Sequence, residues 1–101
     1  MKVRYGDRRL EKLCTDEREM RRKRSDIAGR LRLRIKALET AENVAELPTH
    51  DPLGKWHPLR ADLEGLWAGR LSVNHRLLVR PESRDPQDAV VVTVVDIADY
   101  H

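Results

Sequence analysis

The sequence predicts an α+β domain: an N-terminal strand and two to three helices packed on one side of a mainly antiparallel sheet of about four strands. Three observations predict it. Apolar residues recur at helical spacing in the first half of the chain, alternate at strand spacing in the second half, and end in a nearly unbroken β-branched run from Ala89 to Ile97. The 101 residues contain no internal repeat, low-complexity tract or linker, so residues 1–101 read as one domain.

Met1 to Tyr5 suit a short strand that Gly6 ends, and Asp7 can cap a helix by accepting from its exposed backbone N–H groups. Leu10 and Leu13 give that helix an apolar edge. Ser25 or Asp26 can cap the next one, in which Ile27, Leu31, Ile35 and Leu38 fall on one face. Arg30, Arg32, Arg34 and Lys36 lie largely off that stripe, giving the helix a basic exterior. Thr40 is expected to start a short helical turn through Leu47, which Pro48 and the segment Asp51-Pro-Leu-Gly54 break. The period then changes. Trp67, Gly69, Leu71 and Val73 alternate with Ala68, Arg70 and Ser72, and Leu77 and Val79 alternate with Arg76, Leu78 and Arg80, as in two strands of a hairpin. If Leu71 and Leu77 share the core face, Arg70 and Arg76 share the other. That parity needs an odd loop, for example one with Asn74 or His75 at positive φ. Pro81 to Asp88 form a polar loop, and Ala89 to Ile97 read as a central strand buried on both faces.

Twenty Lys and Arg residues stand against 17 Asp and Glu, a net charge of +3, with an isoelectric point near 9.4. The excess is concentrated in Arg18, Arg21, Arg22, Lys23, Arg24, Arg30, Arg32, Arg34 and Lys36, against Glu19 and Asp26. Such a run attracts phosphate, and it equally fits a solvated helix face. Cys14 is the single cysteine, which excludes a disulfide within the chain and suits a packing role in a reducing compartment. No apolar run reaches the roughly 18 residues of a membrane span, and the opening MKVRYGDRRL lacks the apolar core of a signal peptide. A cytoplasmic protein without membrane association is expected.

His50, His57, His75 and His101 lack metal-ligand spacing, and there is no Gly-rich phosphate loop or nucleophile elbow. No metal or cofactor is implied, and acid–base and electrostatic catalysis remain. Two segments concentrate suitable side chains: Lys55-Trp-His57-Pro-Leu-Arg60, and Asp99-Tyr100-His101 directly after the apolar strand. Along an extended chain Asp99 and His101 point one way and Tyr100 the other. A frayed terminus fits the same residues.

The ordered set His57-Pro-Leu-Arg60, Trp67-Ala-Gly-Arg70-Leu, Asn74-His-Arg76-Leu and Asp99-Tyr-His101 resembles the HigB branch of the RelE/ParE toxin superfamily, the plasmid maintenance killer proteins, as does the opening Asp7-Arg-Arg-Leu-Glu-Lys-Leu13. The resemblance covers nearly the whole chain. Arg60 stands where these proteins usually have lysine, exchanging a point charge for a planar fork. His75 stands where they usually have Tyr or Trp.

The resemblance implies a RelE-like fold and the toxin of a type II toxin–antitoxin system. Such toxins are ribosome-dependent, metal-independent endoribonucleases that cut messenger RNA codons in the A site and inhibit translation. Attack of a ribose 2′-OH leaves a 2′,3′-cyclic phosphate. It assigns catalysis to His57, Arg76, Asp99, Tyr100 and His101, with Arg60, Arg70 and Lys55 binding RNA phosphates. It also implies a HigA-like helix-turn-helix antitoxin, and operator DNA reached through that antitoxin. Charge clustering adds Arg21, Arg22, Lys23 and Arg24 as a grip on ribosomal RNA. Two other functions fit the same composition: a ParE-like gyrase inhibitor, and a non-catalytic RNA- or antitoxin-binding module.

Overall fold

In the computed structural model, which describes residues 1–99, strand β1 (Lys2–Tyr5) leads into helix α1 (Arg8–Thr15). Asp7 caps α1, its carboxylate accepting from the Leu10 N–H at 2.7 Å. Asp16 serves two helices: its N–H closes α1 on the Lys12 carbonyl, and its carboxylate opens α2 (Glu17–Lys23) by accepting from the N–H groups of Arg18 and Glu19. Helix α3 (Ala28–Thr40) follows. Neither Ser25 nor Asp26 caps it. Ile27 precedes it without a side-chain cap, and the Asp26 carboxylate accepts instead from the Arg24 guanidinium at 3.1 and 3.2 Å. Thr40 ends a helix rather than starting one, its hydroxyl donating back to the Lys36 carbonyl at 2.9 Å. Asn43 caps a 3-10 turn, Val44–Glu46, which runs into the short helix α4 (Leu47–His50). Pro48 does not break α4. It sits in the first turn, where a missing N–H leaves no carbonyl unpaired.

The remaining strands are β2 (His57–Pro58), β3 (Trp67–Arg70), β4 (His75–Pro81) and β5 (Val91–Asp99). They form a five-stranded sheet in the order β1-β5-β4-β3-β2. Only β1 is parallel to its neighbour, β5. The sheet thus gains a short edge strand, β2, beyond the four expected. The hairpin parity holds: Arg70 faces Arg76, and Gly69 faces Leu77. The turn is built differently from the expectation, because neither Asn74 nor His75 has positive φ. Ser72 holds it instead, its hydroxyl oxygen accepting from the N–H groups of Asn74 and His75 at 3.3 and 3.1 Å.

β5 alternates rather than being buried on both faces. Val92 and Val94 are fully buried while Val91, Thr93 and Val95 are half-buried. The cause is a helical layer packed on one side of the sheet: Leu10, Cys14, Met20, Leu31, Ile35 and Leu38 meet Leu77, Val79, Val92 and Val94 in one core. Cys14 has the packing role expected of it, and burial pushes its thiol pKa up to about 12. On β5, Val94 pairs with Val79 and Asp96 with Leu78, so Val95 is the extra residue of a bulge. Strand register puts Ala68, Arg70, Arg76, Leu78 and Arg80 on the far face from this core. Among the described residues no helix is long and apolar enough to cross a membrane.

Candidate functional site

The site begins with a buried support. The Arg34 side chain is 5 % exposed and gives Asp51 two hydrogen bonds, at 3.1 and 3.2 Å. Its Nε also donates to the Arg70 carbonyl at 2.8 Å. Asp51 accepts a further bond from Trp56 Nε1 at 3.0 Å. The Trp56 ring lies against Gly54 and Gly69, where an added Cβ would come within 2.5 Å of it. This chain of contacts ties α3 to the 51–56 segment and to the end of β3. The residue after Trp56 is His57, so the support fixes where its imidazole emerges.

Lys55 has φ 46° and ψ 43°, left-handed values that turn the chain from the Pro52–Gly54 3-10 turn into β2. His57 then pairs with Ala68 at the sheet edge, exposed to solvent. Its Nδ1 lies 2.8 Å from the Lys55 carbonyl. A carbonyl can only accept, so Nδ1 carries the proton and the neutral ring keeps its lone pair on Nε2.

The register orders the far face of the sheet. His57, Ala68, Leu78 and Asp96 form one row across four strands, and Arg70, Arg76 and Ala98 form the next. His57 and Arg70 are diagonal neighbours, about 7–8 Å apart at Cα and within reach of long side chains. Arg76 Nη1 donates to the carbonyls of Ser72 and His75 at 2.6 and 2.9 Å, which holds its guanidinium at the mouth of the hairpin. Arg80 shares this face, and sequence reasoning did not nominate it. The signal was present, since it has the same parity on β4 as Arg76. Arg60 is exposed just beyond β2. Among the described residues Lys55, Arg60, Arg70 and Arg80 have no salt-bridge partner.

Asp99 does not join this row. It pairs in register with His75, on the face that carries Leu77, and its Oδ1 lies 4.0 Å from His75 Nε2. His75 Nδ1 is 2.8 Å from the Ser72 hydroxyl, so Ser72, His75 and Asp99 form a second polar group at the same end of the sheet. Tyr100 and His101 lie outside the described residues. The structure therefore brings His57, Arg70 and Arg76 to one face and sets Asp99 on the other.

The helical cations are differently situated. Arg21 pairs with Glu17 at 2.9 Å, Lys23 with Glu19 at 3.6 Å and Arg24 with Asp26 at 3.1 Å. Arg22 also binds Glu19. Each already has a carboxylate, so the field they offer a phosphate is weaker than the sequence run suggests.

No family model matches the sequence, and no curated protein matches it either. Solved structures do match over the whole chain. The YoeB/ParE toxin from Agrobacterium tumefaciens superposes with a TM-score of 0.61 at 17 % identity, covering 100 % of each chain. The YoeB–YefM complex from Staphylococcus aureus gives 0.61 at 15 % identity, covering 100 % of this chain and 97 % of that one. The YoeB dimer from the same organism gives 0.60 at 15 % identity, with the same coverage. The class is thereby defined by architecture: this chain has the α+β fold of these YoeB-type toxins.

Proposed function

We propose that this chain is the toxin of a type II toxin–antitoxin pair, of the HigB branch of the RelE/ParE superfamily, and that it cleaves messenger RNA in the ribosomal A site. One observation carries the proposal: on a toxin fold, His57 and the cations Arg70 and Arg80, which form no salt bridge among the described residues, lie with Arg76 on the sheet face away from the helices. In the reaction the RNA 2′ oxygen bonds to phosphorus as the bond from phosphorus to the 5′ oxygen breaks. One proton leaves the 2′-hydroxyl and another reaches the 5′ oxygen, giving a 2′,3′-cyclic phosphate and a 5′-OH. His57 Nε2, with its lone pair free when the ring is neutral, takes the first proton. Arg76 and Arg70 stabilise the dianionic transition state, with Lys55 and Arg60 on flanking phosphates. Tyr100 and His101 complete the acid–base and substrate-orienting set. Asp99 acts through the histidine it faces. Arg21, Arg22, Lys23 and Arg24 contribute a secondary grip on ribosomal RNA. The protein partner is a HigA-like helix-turn-helix antitoxin, through which operator DNA is reached, and the working compartment is the cytoplasm.

The test is to map messenger RNA 5′ ends after induction, with and without translation. Cleavage that requires ribosomes and falls about a hundredfold or more in His57→Ala, with the fold intact, is the expected result. Full cleavage by His57→Ala removes it from the chemistry. Inhibition of DNA supercoiling with no RNA cleavage would select the ParE-like alternative, which the YoeB/ParE neighbour keeps in view.

A further inference from the structure

A groove at the end of the sheet, where the β3–β4 turn meets α3 and the Pro52–Gly54 turn, brings together three large apolar residues that are each exposed: Leu33 on α3 at 50 %, Leu53 in the Pro52–Gly54 turn at 73 % and Val73 in the hairpin turn at 75 %. Single exposed aliphatic residues are ordinary, but their convergence in one depression is not. The depression has a volume of about 360 Å³. Arg30, Lys55 and Arg70 line it, and among the described residues no acidic side chain does. Arg34 reaches its wall too, but its charge is matched by Asp51.

We infer that this groove docks a segment of a partner protein that carries aliphatic side chains flanked by Asp or Glu. Aliphatic walls match aliphatic anchors, as where an amphipathic helix lies in a groove, and three cations with no salt-bridge partner among the described residues match carboxylates. RNA fits less well: bases are held by stacking on aromatic side chains, and the exposed apolar residues here are leucine and valine. A second copy of the chain fits less well too. A two-fold contact through this patch would bring the Arg30, Lys55 and Arg70 cations of both copies together. The inference does not depend on the nuclease proposal. A protein that cleaves no RNA can still bind here.

The experiment uses the full chain and a short labelled peptide with leucines one helical turn apart in a glutamate-rich background, followed by fluorescence anisotropy. Two control peptides replace the leucines by serine or the glutamates by lysine. Leu53→Asp and Val73→Asp change residues already in solvent, so folding is preserved, and Arg30→Glu tests the cations. The glutamate–leucine peptide is expected to bind saturably and both controls to bind at least about tenfold more weakly. Each of the three variants is likewise expected to weaken binding about tenfold. Four outcomes overturn the inference: no saturable binding, equal binding of the acidic and basic peptides, unchanged affinity in Leu53→Asp and Val73→Asp, or displacement of the peptide by a single-stranded RNA that itself requires Leu53 and Val73. Sedimentation showing a dimer that Val73→Asp dissociates would also overturn it, by assigning the groove to a second copy.

Discussion

Glu19 shows how one side chain can organise a charged surface. It is buried, and Lys12, Arg22 and Lys23 all pair with it. Hydrogen bonds from Lys12 and Arg22 hold its pKa at about 2, below the ordinary 4.5. The sign of the effect follows from linkage. A carboxyl with a depressed folded pKa contributes its full stabilisation above the unfolded value and loses it as pH falls toward the folded one. Wild type is therefore expected to exceed Glu19→Gln in stability at neutral pH, and the difference should shrink between about 4.5 and about 2. Urea unfolding midpoints of both proteins across that interval measure it. A difference that stays constant with pH would mean that Glu19 acts by packing and not by charge. The same residue explains why a run of cations legible in the sequence is partly quenched in the fold. Its neighbours are positive because its own carboxylate must be matched, and no spacing rule reveals which cations are so committed.

At the scale of elements, the position of β2 depends on a tryptophan laid across two glycines. A Cβ at Gly69 would sit 2.5–2.7 Å from the Trp56 ring, whereas one at Gly29 on α3 would meet nothing within 4 Å. Gly69→Ala is expected to cost about 1–3 kcal/mol through overpacking. Gly29→Ala should gain up to about 1 kcal/mol from helix propensity. Chemical denaturation distinguishes them, and equal effects would deny Trp56 its wedging role. Much at this scale was readable in the sequence. Period-two alternation over Trp67–Val73 and Arg76–Arg80 gave the two hairpin strands, observed as Trp67–Arg70 and His75–Pro81, and their shared arginine face. Local rules reached the Asp7 cap as well, because capping involves neighbouring residues only. What failed depended on which of several possible partners a residue meets. β2 is a strand only because Ala68 and Trp67 lie beside it. Asp26 loses its capping role to a guanidinium two residues away. Val95 becomes a bulge through pairing with β4. Arg34 stood three residues after Leu31 and four before Leu38, on the buried stripe, and its charge concealed a position that the spacing exposed. The cluster expected to unite His57 and Asp99 was divided for a similar reason, since which face a strand residue takes is settled by register.

For the molecule as a whole, the proposed nuclease function raises the question of which face would meet RNA. Two candidate surfaces carry similar formal charge: the sheet side, with Lys55, Arg60 and Arg70, and α2, with Arg21, Arg22 and Lys23. They differ in availability. The sheet-side cations have no salt bridge among the described residues, whereas each α2 cation has a carboxylate already in contact. A phosphate arriving at α2 must displace Glu17 or Glu19 before counterions are released. At the sheet it displaces no carboxylate of the described residues. Changing either trio to alanine lowers the net charge by three, from +3 to zero, so long-range attraction falls equally in both variants. Any difference between them then reports direct contact. Each phosphate contact to single-stranded RNA contributes about 0.7 to the slope of log affinity against log salt. The Lys55/Arg60/Arg70 variant should therefore flatten that slope by about 2, and the Arg21/Arg22/Lys23 variant by clearly less. Titrating a single-stranded RNA oligonucleotide against both variants at several salt concentrations measures the two slopes. If the α2 variant loses the larger share, the RNA path runs over the helices, and the arginine face of the sheet must be given another task.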